Sequence, residues 1–485
     1  MMADLLDWVI PFTAWIWTNK FAVLGWAIAL VAFVLVPFRR PPAEARGWLL
    51  VFFALPWLAV LAYAIVGRPT PSAKRLERMR KLPLLYEGIA ARSNVTEVQF
   101  GPALSSDNMA VARLAQGLGH FPPVTGNRIE PLPDYRRTFD RLIEDIDAAR
   151  HHVHLEFYIF ANDEMGKRIM SALEAAQARG VRCRVLIDSL GSFPSVGRIK
   201  RRLRAAGVEV HDVLPMRRRW RSSRVDLRNH RKIAVIDGLI GYTGSQNIWD
   251  PSIRAARGNR DLLVRISGPI VRQLQAVFAA DWFLETLEEL VEDALFPPPH
   301  GGGDMTAQII ASGPDYPEGG VDLIFAQAIY NAADKVVITS PYFIPNEALI
   351  SAIKAALLGG VEVSLITPRK SDHLIAGLAQ RSYYTELLAA GMQIHLYGPE
   401  FLHAKHFRVD KEVCVLGSSN MDVRSFELNA EVDLICYEAR FAETVQDLEA
   451  DYLKQAVPLS IEQWRKRPLI AKVLENSARL LSELI

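Results

Sequence analysis

The chain has 485 residues, enough for about two to four domains of ordinary size, and its formal net charge of +2 does not favour a globally basic nucleic-acid binder. Half of the residues are hydrophobic, which is high for a soluble protein, and they are unevenly distributed. The three cysteines, Cys183, Cys414 and Cys436, lie in apolar stretches, so we expect buried thiols rather than a disulfide framework. No cluster of cysteines and histidines has metal-ligand spacing, and we expect no metal site.

Two apolar stretches near the N-terminus predict membrane-spanning helices. Residues 21–38 and 47–66 contain no charged side chain, and each is long enough to cross a bilayer. A signal peptide is the alternative for the first stretch, but no small-residue cleavage site follows it and the second stretch begins at once. We therefore predict a two-helix transmembrane hairpin over residues 21–66, preceded by an interfacial segment, residues 1–20.

The positive charges around this hairpin predict its orientation. Seven lysines and arginines lie on the side of the two hairpin ends, and three lie in the turn, Arg39, Arg40 and Arg46. The positive-inside rule then places the large domain in the cytoplasm. Residues 67–121 form a basic juxtamembrane linker region, whose Lys74–Lys81 cluster either rests on anionic headgroups or is solvated.

The rest of the chain alternates predicted strands and helices, and this alternation occurs twice. Residues 147–158 resemble residues 331–342, and Ala205-Ala206-Gly207 recurs as Ala389-Ala390-Gly391, both at an offset of 184. The predicted fold class is α/β, with two duplicated lobes, residues 122–295 and 304–459. A proline- and glycine-rich linker, residues 296–303, joins them. We expect a mostly parallel sheet in each lobe.

The last segment, residues 460–485, predicts an amphipathic C-terminal helix. Its apolar residues include Trp464, Leu469, Ile470, Val473 and Leu474. We favour packing of this helix on the second lobe over contact with a membrane.

One motif of six fixed residues also occurs twice, at 230–247 and at 403–420. Both copies fit H-x-K-x4-D-x6-G-S-x-N and predict a strand, a turn and a second strand. Alternate residues of a strand point to one face, so His230 lies beside Lys232, and His403 beside Lys405. An imidazole beside an ammonium group suits an anionic phosphate oxygen. One imidazole can attack phosphorus while the other protonates the leaving oxygen.

This double motif resembles the signature of the phospholipase D superfamily. Within that superfamily, the chain from about Pro122 onwards resembles the bacterial cardiolipin synthases, through segments such as 228–232, 340–345 and 417–425. The resemblance implies that the two phospholipase D-like lobes pack with pseudo-twofold symmetry and that both motifs face one cleft. It also implies catalysis without a cofactor, in the inner membrane of a bacterial cell, by a multi-pass protein.

The resemblance further implies roles for the motif residues. One histidine forms a phosphohistidine intermediate and the other acts as general acid and then base. We assign the nucleophile to His230 and the acid–base role to His403, although the order could be reversed. The remaining catalytic candidates are Lys232, Asp237, Lys405 and Asp410. The phosphate-binding candidates are Ser245, Asn247, Ser418 and Asn420. The candidates for orienting the histidines are Asp261 and Glu431.

The implied reaction transfers a phosphatidyl group between two phosphatidylglycerol molecules and gives cardiolipin and glycerol. A phospholipase D hydrolase and a synthase with phosphatidylethanolamine as donor are the alternatives, and a membrane-tethered nuclease is less favoured. The expected partners are phosphatidylglycerol and anionic membrane lipid, without nucleic acid. The oligomeric state is left open.

A basic segment precedes the first motif. Gly207 and His230 are 23 residues apart, whereas Gly391 and His403 are 12 apart, so the first lobe carries an insertion here. The insertion is rich in arginine, with Arg217, Arg218, Arg219 and Arg221 within five positions and Arg224 shortly after. Our hypothesis is that they steer anionic headgroups towards the site, and the alternative is a solvated basic loop.

Overall fold

The fold comes from a computed structural model of the chain. The residues that it describes are 19–40, 42–67, 73–92, 104–215, 227–250, 258–299, 302–316 and 320–480. The headgroup-steering arginines at positions 217–221 and most of the predicted interfacial segment lie outside these residues.

Three helices replace the predicted two-helix hairpin: α1 Lys20–Leu35, α2 Pro42–Ala54 and α3 Pro56–Val66. The second apolar stretch is divided at Leu55, because Pro56 lacks an N–H and its ring excludes the helical conformation from the residue before it. Among the helices of the described residues, none combines the length and the apolarity needed to cross a membrane. The prediction of one continuous helix over residues 47–66 is therefore wrong.

Three further helices connect this region to the lobes: α4 Ala73–Met79, α5 Leu82–Arg92 and α6 Ser106–Gly119. The guanidinium group of Arg75 donates to both carboxylate oxygens of Asp315, each at 2.9 Å, and to Glu285 at 2.7 Å. The basic cluster is thus partly docked on the protein body, and α6 packs on the second lobe.

The first lobe contains nine strands and four helices within the described residues. In chain order they are β1 Val124–Leu132, α7 Tyr135–Ala148, β2 His152–Phe157, α8 Glu164–Ala178, β3 Arg182–Asp188, α9 Val196–Ala205, β4 Glu209–Val213, β5 Arg228–Asn229, β6 Lys232–Ile236, β7 Ile240–Gly244, β8 Asn259–Arg260, β9 Leu263–Ser267 and α10 Ile270–Thr286. A short 3-10 helix, Asp293–Leu295, leads to the second lobe.

The second lobe repeats this order with a few additional short elements and continues to the last described helix. Its elements are β10 Met305–Ser312, α11 Asp322–Tyr330, β11 Lys335–Thr339, β12 Phe343–Ile344, α12 Glu347–Leu358, β13 Glu362–Pro368, α13 Leu374–Ala389, β14 Gln393–Tyr397, β15 Phe401–Leu402, β16 His406–Val409, β17 Val413–Gly417, β18 Met421–Asp422, α14 Val423–Glu427, β19 Asn429–Cys436, α15 Ala439–Lys454, β20 Ala456–Pro458, α16 Ile461–Arg465 and α17 Leu469–Leu480.

One continuous sheet passes through both lobes. Its order is β20-β14-β13-β11-β16-β17-β19-β10-β1-β9-β7-β6-β2-β3-β4, so each half contributes the same order of seven equivalent strands. The halves meet where β1 pairs antiparallel with β10. The three cysteines are buried free thiols in β3, β17 and β19, as predicted. The predicted α/β duplication is therefore confirmed.

The sheet is mixed rather than mostly parallel. In the first lobe only β2, β3 and β4 pair in parallel, and β6, β7, β9 and β1 continue the sheet antiparallel. Asp237 and Gly238 form a tight turn between β6 and β7, and strands joined by so short a turn must be antiparallel. The prediction failed because the motif itself is a hairpin.

Short strands cross between the lobes beside this sheet. Strand β5 of the first lobe pairs in parallel with β19 of the second, and β15 of the second pairs in parallel with β8 of the first. Both crossing strands end immediately before a motif histidine. Each histidine is therefore held at the lobe interface.

The described part of the predicted C-terminal helix is divided into α16 and α17, and α17 packs on α13 of the second lobe, as predicted, but with the opposite face to the one expected. Its carboxylate Glu475 is buried, whereas Leu469, Ile470, Val473 and Leu474 are exposed.

Candidate active site

The two motif histidines lie in one cavity between the lobes. The cavity has a volume of about 1460 Å³ and is lined by His230, His403, Asn247 and Asn420. The backbone N–H of His230 donates to Ala430 O, and that of His403 donates to Arg260 O, both at 2.8 Å. Each histidine is thus fixed by a backbone hydrogen bond to the other lobe.

The histidine–carboxylate pairs cross in the same way. His230 Nδ1 lies 2.9 Å from Glu431 Oε2, and His403 Nδ1 lies 2.6 Å from Asp261 Oδ1. Both orienting candidates are therefore in contact with a histidine, each with that of the opposite lobe. An ionised carboxylate accepts a hydrogen bond from a protonated Nδ1. Nε2 is then the nitrogen of each ring that remains for the chemistry.

Ser245 and Ser418 support these carboxylates. The Ser245 hydroxyl donates to Asp261 Oδ1 at 2.7 Å, and the Ser418 hydroxyl donates to Glu431 Oε2. Each hydroxyl also accepts a backbone N–H, from Leu262 and Val432 respectively. The observed contacts of the two serines are thus with the orienting carboxylates, and their predicted contact with phosphate stays a prediction.

The two motif lysines are buried beside the histidines. Lys232 donates to His230 O, and Lys405 donates to His403 O at 2.7 Å. Burial lowers the pKa of Lys232 to about 7 and that of Lys405 to about 8, against the attraction of Glu431 and Asp261. Because two ammonium groups that are buried in this way have lost most of their hydration, a bound anion would stabilise their charged form.

The two histidine–carboxylate pairs differ electrostatically. Burial, and then the charge of Lys232, hold the pKa of His230 well below its usual value. Burial raises the pKa of its partner Glu431 to about 6. The pKa of Asp261 is lowered instead, because its contacts with His403 and Lys405 outweigh burial. The pKa of His403 is also lowered, by burial and Lys405, although Asp261 opposes this.

The motif asparagines have unequal surroundings. Asn247 Oδ1 accepts the backbone N–H of Ile159 at 3.1 Å. Asn420 Oδ1 is buried without a hydrogen bond to the residues that the structure describes. Because both amides line the cavity, their NH2 groups are available candidates for a phosphate oxygen.

The motif aspartates do not belong to the site, which corrects their prediction as catalytic residues. Asp237 accepts the backbone N–H groups of Arg150, His151 and His152 at 2.8–2.9 Å. Asp410 does the same for residues 333–335. Both aspartates follow strands β6 and β16 at the end opposite the histidines, with a positive φ of 52° and 50°. They anchor the motif hairpin to the start of β2 or β11.

Several cavity residues were not identified from the sequence. The Tyr158 ring lies 4.9 Å from the His230 ring and 5.6 Å from Lys232 Nζ. The cavity wall also includes four cations, Arg228, Arg369, Lys370 and Arg424. The repeat itself gave one signal, because Tyr158 and Tyr342 are equivalent at the offset of 184.

Comparisons with known proteins agree with this geometry. A family model described as cardiolipin synthase, PLD-like domain, matches residues 142–282 and 325–452. Cardiolipin synthase A of Proteus mirabilis (strain HI4320) is 33% identical, over 96% of this chain and 100% of that protein. Cardiolipin synthase of Geobacillus thermodenitrificans (strain NG80-2) is also 33% identical, over 96% and 93%.

Among solved structures, phosphatidylserine synthase of Haemophilus influenzae Rd KW20 matches with a TM-score of 0.60. The match covers 77% of this chain and 99% of that chain at 16% identity. At this identity the similarity concerns the fold alone.

Proposed function

Because the chain belongs to the cardiolipin synthase family with phospholipase D-like domains, we propose that His230 and His403 catalyse transfer of a phosphatidyl group through a phosphohistidine. The chain is a phosphatidyltransferase whose product is cardiolipin. The observation that carries the mechanism is the pair of crossed histidine–carboxylate contacts in one cavity.

In the first step, Nε2 of His230 attacks the phosphorus of one phosphatidylglycerol. The bond from phosphorus to the glycerol headgroup breaks, and protonated His403 gives its proton to the leaving oxygen. In the second step, His403 takes the proton of a hydroxyl group on a second phosphatidylglycerol. That oxygen attacks phosphorus, the phosphorus–nitrogen bond breaks and cardiolipin forms. One phosphodiester replaces another, so the exchange requires no nucleotide.

The electrostatic difference between the pairs supports this division of roles. A nucleophile must be neutral, and the pKa of His230 lies well below its usual value. A general acid must hold a proton, and Asp261, whose carboxylate lies 2.6 Å from His403, opposes the lowering of the His403 pKa by burial and Lys405. Lys232, Lys405 and the two motif asparagines stabilise the phosphate oxygens.

The size of the cavity favours transfer over hydrolysis. Its volume of about 1460 Å³ exceeds the roughly 300–1,000 Å³ typical of a pocket for one small molecule. Two phospholipid headgroups fit such a space, and a bound acceptor displaces the water that would hydrolyse the intermediate.

The decisive experiment compares purified wild type with His230→Ala and His403→Ala in mixed micelles of labelled phosphatidylglycerol. We expect cardiolipin and an equal amount of glycerol from the wild type alone, and, after rapid quenching, a labelled histidine in acid-sensitive linkage in the wild type that is absent from His230→Ala. His151→Ala, which removes an exposed histidine outside the cavity, is the matched control. Phosphatidic acid without cardiolipin would identify a hydrolase, and turnover only with phosphatidylethanolamine would identify the other donor.

We also propose that α1–α3 embed in the bacterial inner membrane, with the lobes on the cytoplasmic side. The support is that these helices expose large apolar side chains, among them Phe21, Trp26 and Leu50. The distribution of cations along the sequence supports the orientation. Retention of the protein in membranes after carbonate extraction, with the lobes digested by protease only in inverted vesicles, is the expected result.

A further inference from the structure

Helix α17 binds the second lobe through its polar side chains. The carboxylate of Glu475 is almost fully buried, at 2% exposure, and pairs with Arg381 at 3.2 Å and Arg467 at 2.9 Å. The guanidinium group of Arg479 lies 4.1 Å from the centre of the Tyr383 ring. These contacts fix which face of α17 is turned towards the protein.

The opposite face of α17 is apolar and exposed. Leu469 and Ile470 are 76% and 66% exposed, and Val473 and Leu474 are each 51% exposed. Residues spaced by one, four and five positions form one stripe on a helix. In water, a helix normally buries its apolar side chains and exposes its charged ones. Helix α17 does the reverse, which indicates that the stripe has an apolar partner.

The direction of α17 relates the stripe to the catalytic cavity. Arg381 contacts Glu475, and Glu386 contacts Arg479, so α17 and α13 run in the same direction. Leu469 on α17 and Ile375 on α13 each lie six residues before the contact between Glu475 and Arg381. Six residues correspond to about 9 Å along a helix axis. Ile375 and Leu374 are exposed and line the cavity. The N-terminal end of the stripe is therefore directed towards the part of α13 that lines the cavity.

Exposed cations lie next to the stripe and along the cavity. Arg465 and Lys466 are exposed directly before α17, and Arg369 and Lys370 line the adjacent part of the cavity. An apolar helix face bordered by lysine and arginine is the pattern of helices that lie in the interface of an anionic bilayer.

We propose that the outward face of α17, together with Leu374 and Ile375, docks on an anionic phospholipid bilayer and sets the cavity mouth at its surface. This inference rests on the proposed function, since a two-chain lipid substrate then reaches the histidines without leaving the bilayer. The alternative occupant of this face is a second copy of the chain, and the following experiments distinguish it from a bilayer.

A direct test labels the full-length protein with a polarity-sensitive fluorophore at Ile470→Cys, after reconstitution into vesicles of phosphatidylglycerol and phosphatidylcholine. The native cysteines are buried and do not compete for the label. Leu358→Cys is the control, because Leu358 is 89% exposed and ends α12 at the side of the sheet opposite the cavity. We expect a blue shift and quenching by nitroxide lipid at position 470 alone. Equal quenching at both positions would contradict the proposed docking surface, whatever reaction the protein catalyses.

A kinetic test uses the double variant Ile470→Gln/Leu474→Gln. Its matched control is Tyr330→Gln/Leu358→Gln, which removes two exposed large side chains from helix ends opposite the cavity. With vesicle substrate we expect a loss of about five- to tenfold for the first variant, and unchanged rates for both variants with short-chain phosphatidylglycerol in detergent. Equal losses on both substrates, or a change in the mass of the particle in detergent, would reject bilayer docking in favour of a structural or self-association role.

Discussion

At the scale of single residues, the two copies of the motif are alike in sequence but not in electrostatics. Glu431 and Asp261 occupy equivalent positions opposite the two histidines. Burial raises the pKa of Glu431 to about 6, whereas His403 and Lys405 hold the pKa of Asp261 below its usual value. This difference between the two carboxylates is the basis on which we propose different roles for two chemically similar histidines.

The first prediction concerns the acid limb of the pH–rate profile. As pH falls through about 6, Glu431 gains a proton and His230 loses the charge that orients it, so kcat/KM falls. Glu431→Gln should lower kcat/KM on the order of 10²- to 10⁴-fold and abolish this limb. Asp433→Asn is the control, because Asp433 is a buried carboxylate whose pKa is about 7 and which contacts Ser419 rather than a histidine. A limb that disappears in the control instead would contradict the assignment.

The second prediction concerns the basic limb. Lys232 and Lys405 lose their charges as pH rises through about 7 and about 8, and kcat/KM should fall over this range, because the free enzyme then binds phosphate more weakly. A bound phosphate raises the pKa of both lysines, so the basic limb of kcat should lie at higher pH than that of kcat/KM. Steady-state rates at constant ionic strength measure both limbs, and coincident limbs would show that the lysines do not contact the phosphate.

At the scale of secondary-structure elements, the motif is a hairpin fixed at both ends. The histidine end is held by strands that cross between the lobes, and the aspartate end by three backbone N–H groups. The motif glycine Gly244 ends β7 at the histidine end, and a steric reason requires glycine there. A Cβ on Gly244, whose φ is 146°, would lie 2.4 Å from Leu262 O in the segment that carries Asp261.

The third prediction follows from this division of the hairpin. Asp237→Ala removes the acceptor of three N–H groups, and we expect unfolding free energy to fall by about 1–3 kcal/mol while kcat per folded molecule is unchanged. Asp237→Asn should lose less, because asparagine keeps an acceptor oxygen and tolerates the positive φ. Thermal denaturation beside active-site-normalised rates measures both effects. A loss of kcat without a loss of stability would return Asp237 to the catalytic residues.

At the scale of the whole molecule, one sheet unites the lobes and places both histidines in the same cavity. The cavity is complete within one chain, because each lobe supplies the carboxylate for the histidine of the other. The fold therefore makes the two halves interdependent whatever the oligomeric state.

The fourth prediction tests this interdependence. Mixed or co-expressed His230→Ala and His403→Ala chains should not recover cardiolipin synthesis, because no chain contains a complete pair of histidines. The expected rate equals that of the single variants measured separately. A mixture that recovered a quarter or more of wild-type activity, as random pairing of half-sites would give, would place the active site between two chains.

The sequence alone determined the α/β duplication, the two motifs, the family and the histidines, lysines and carboxylates of the site. These follow from local patterns, since residue spacing along a strand and repeat offsets are properties of the chain itself. The mixed sheet also follows from a local feature, the tight Asp237-Gly238 turn, whose consequence for strand direction was not recognised.

Only the tertiary structure decided which carboxylate faces which histidine, that the motif aspartates anchor backbone, and that α17 presents its apolar face outwards. Each of these depends on contacts between residues far apart in sequence, such as His230 with Glu431 and Arg381 with Glu475. The same applies to the electrostatic difference between the two sites. Burial sets most of the pKa shifts in the cavity, and burial is a property of the packed lobes rather than of the motif.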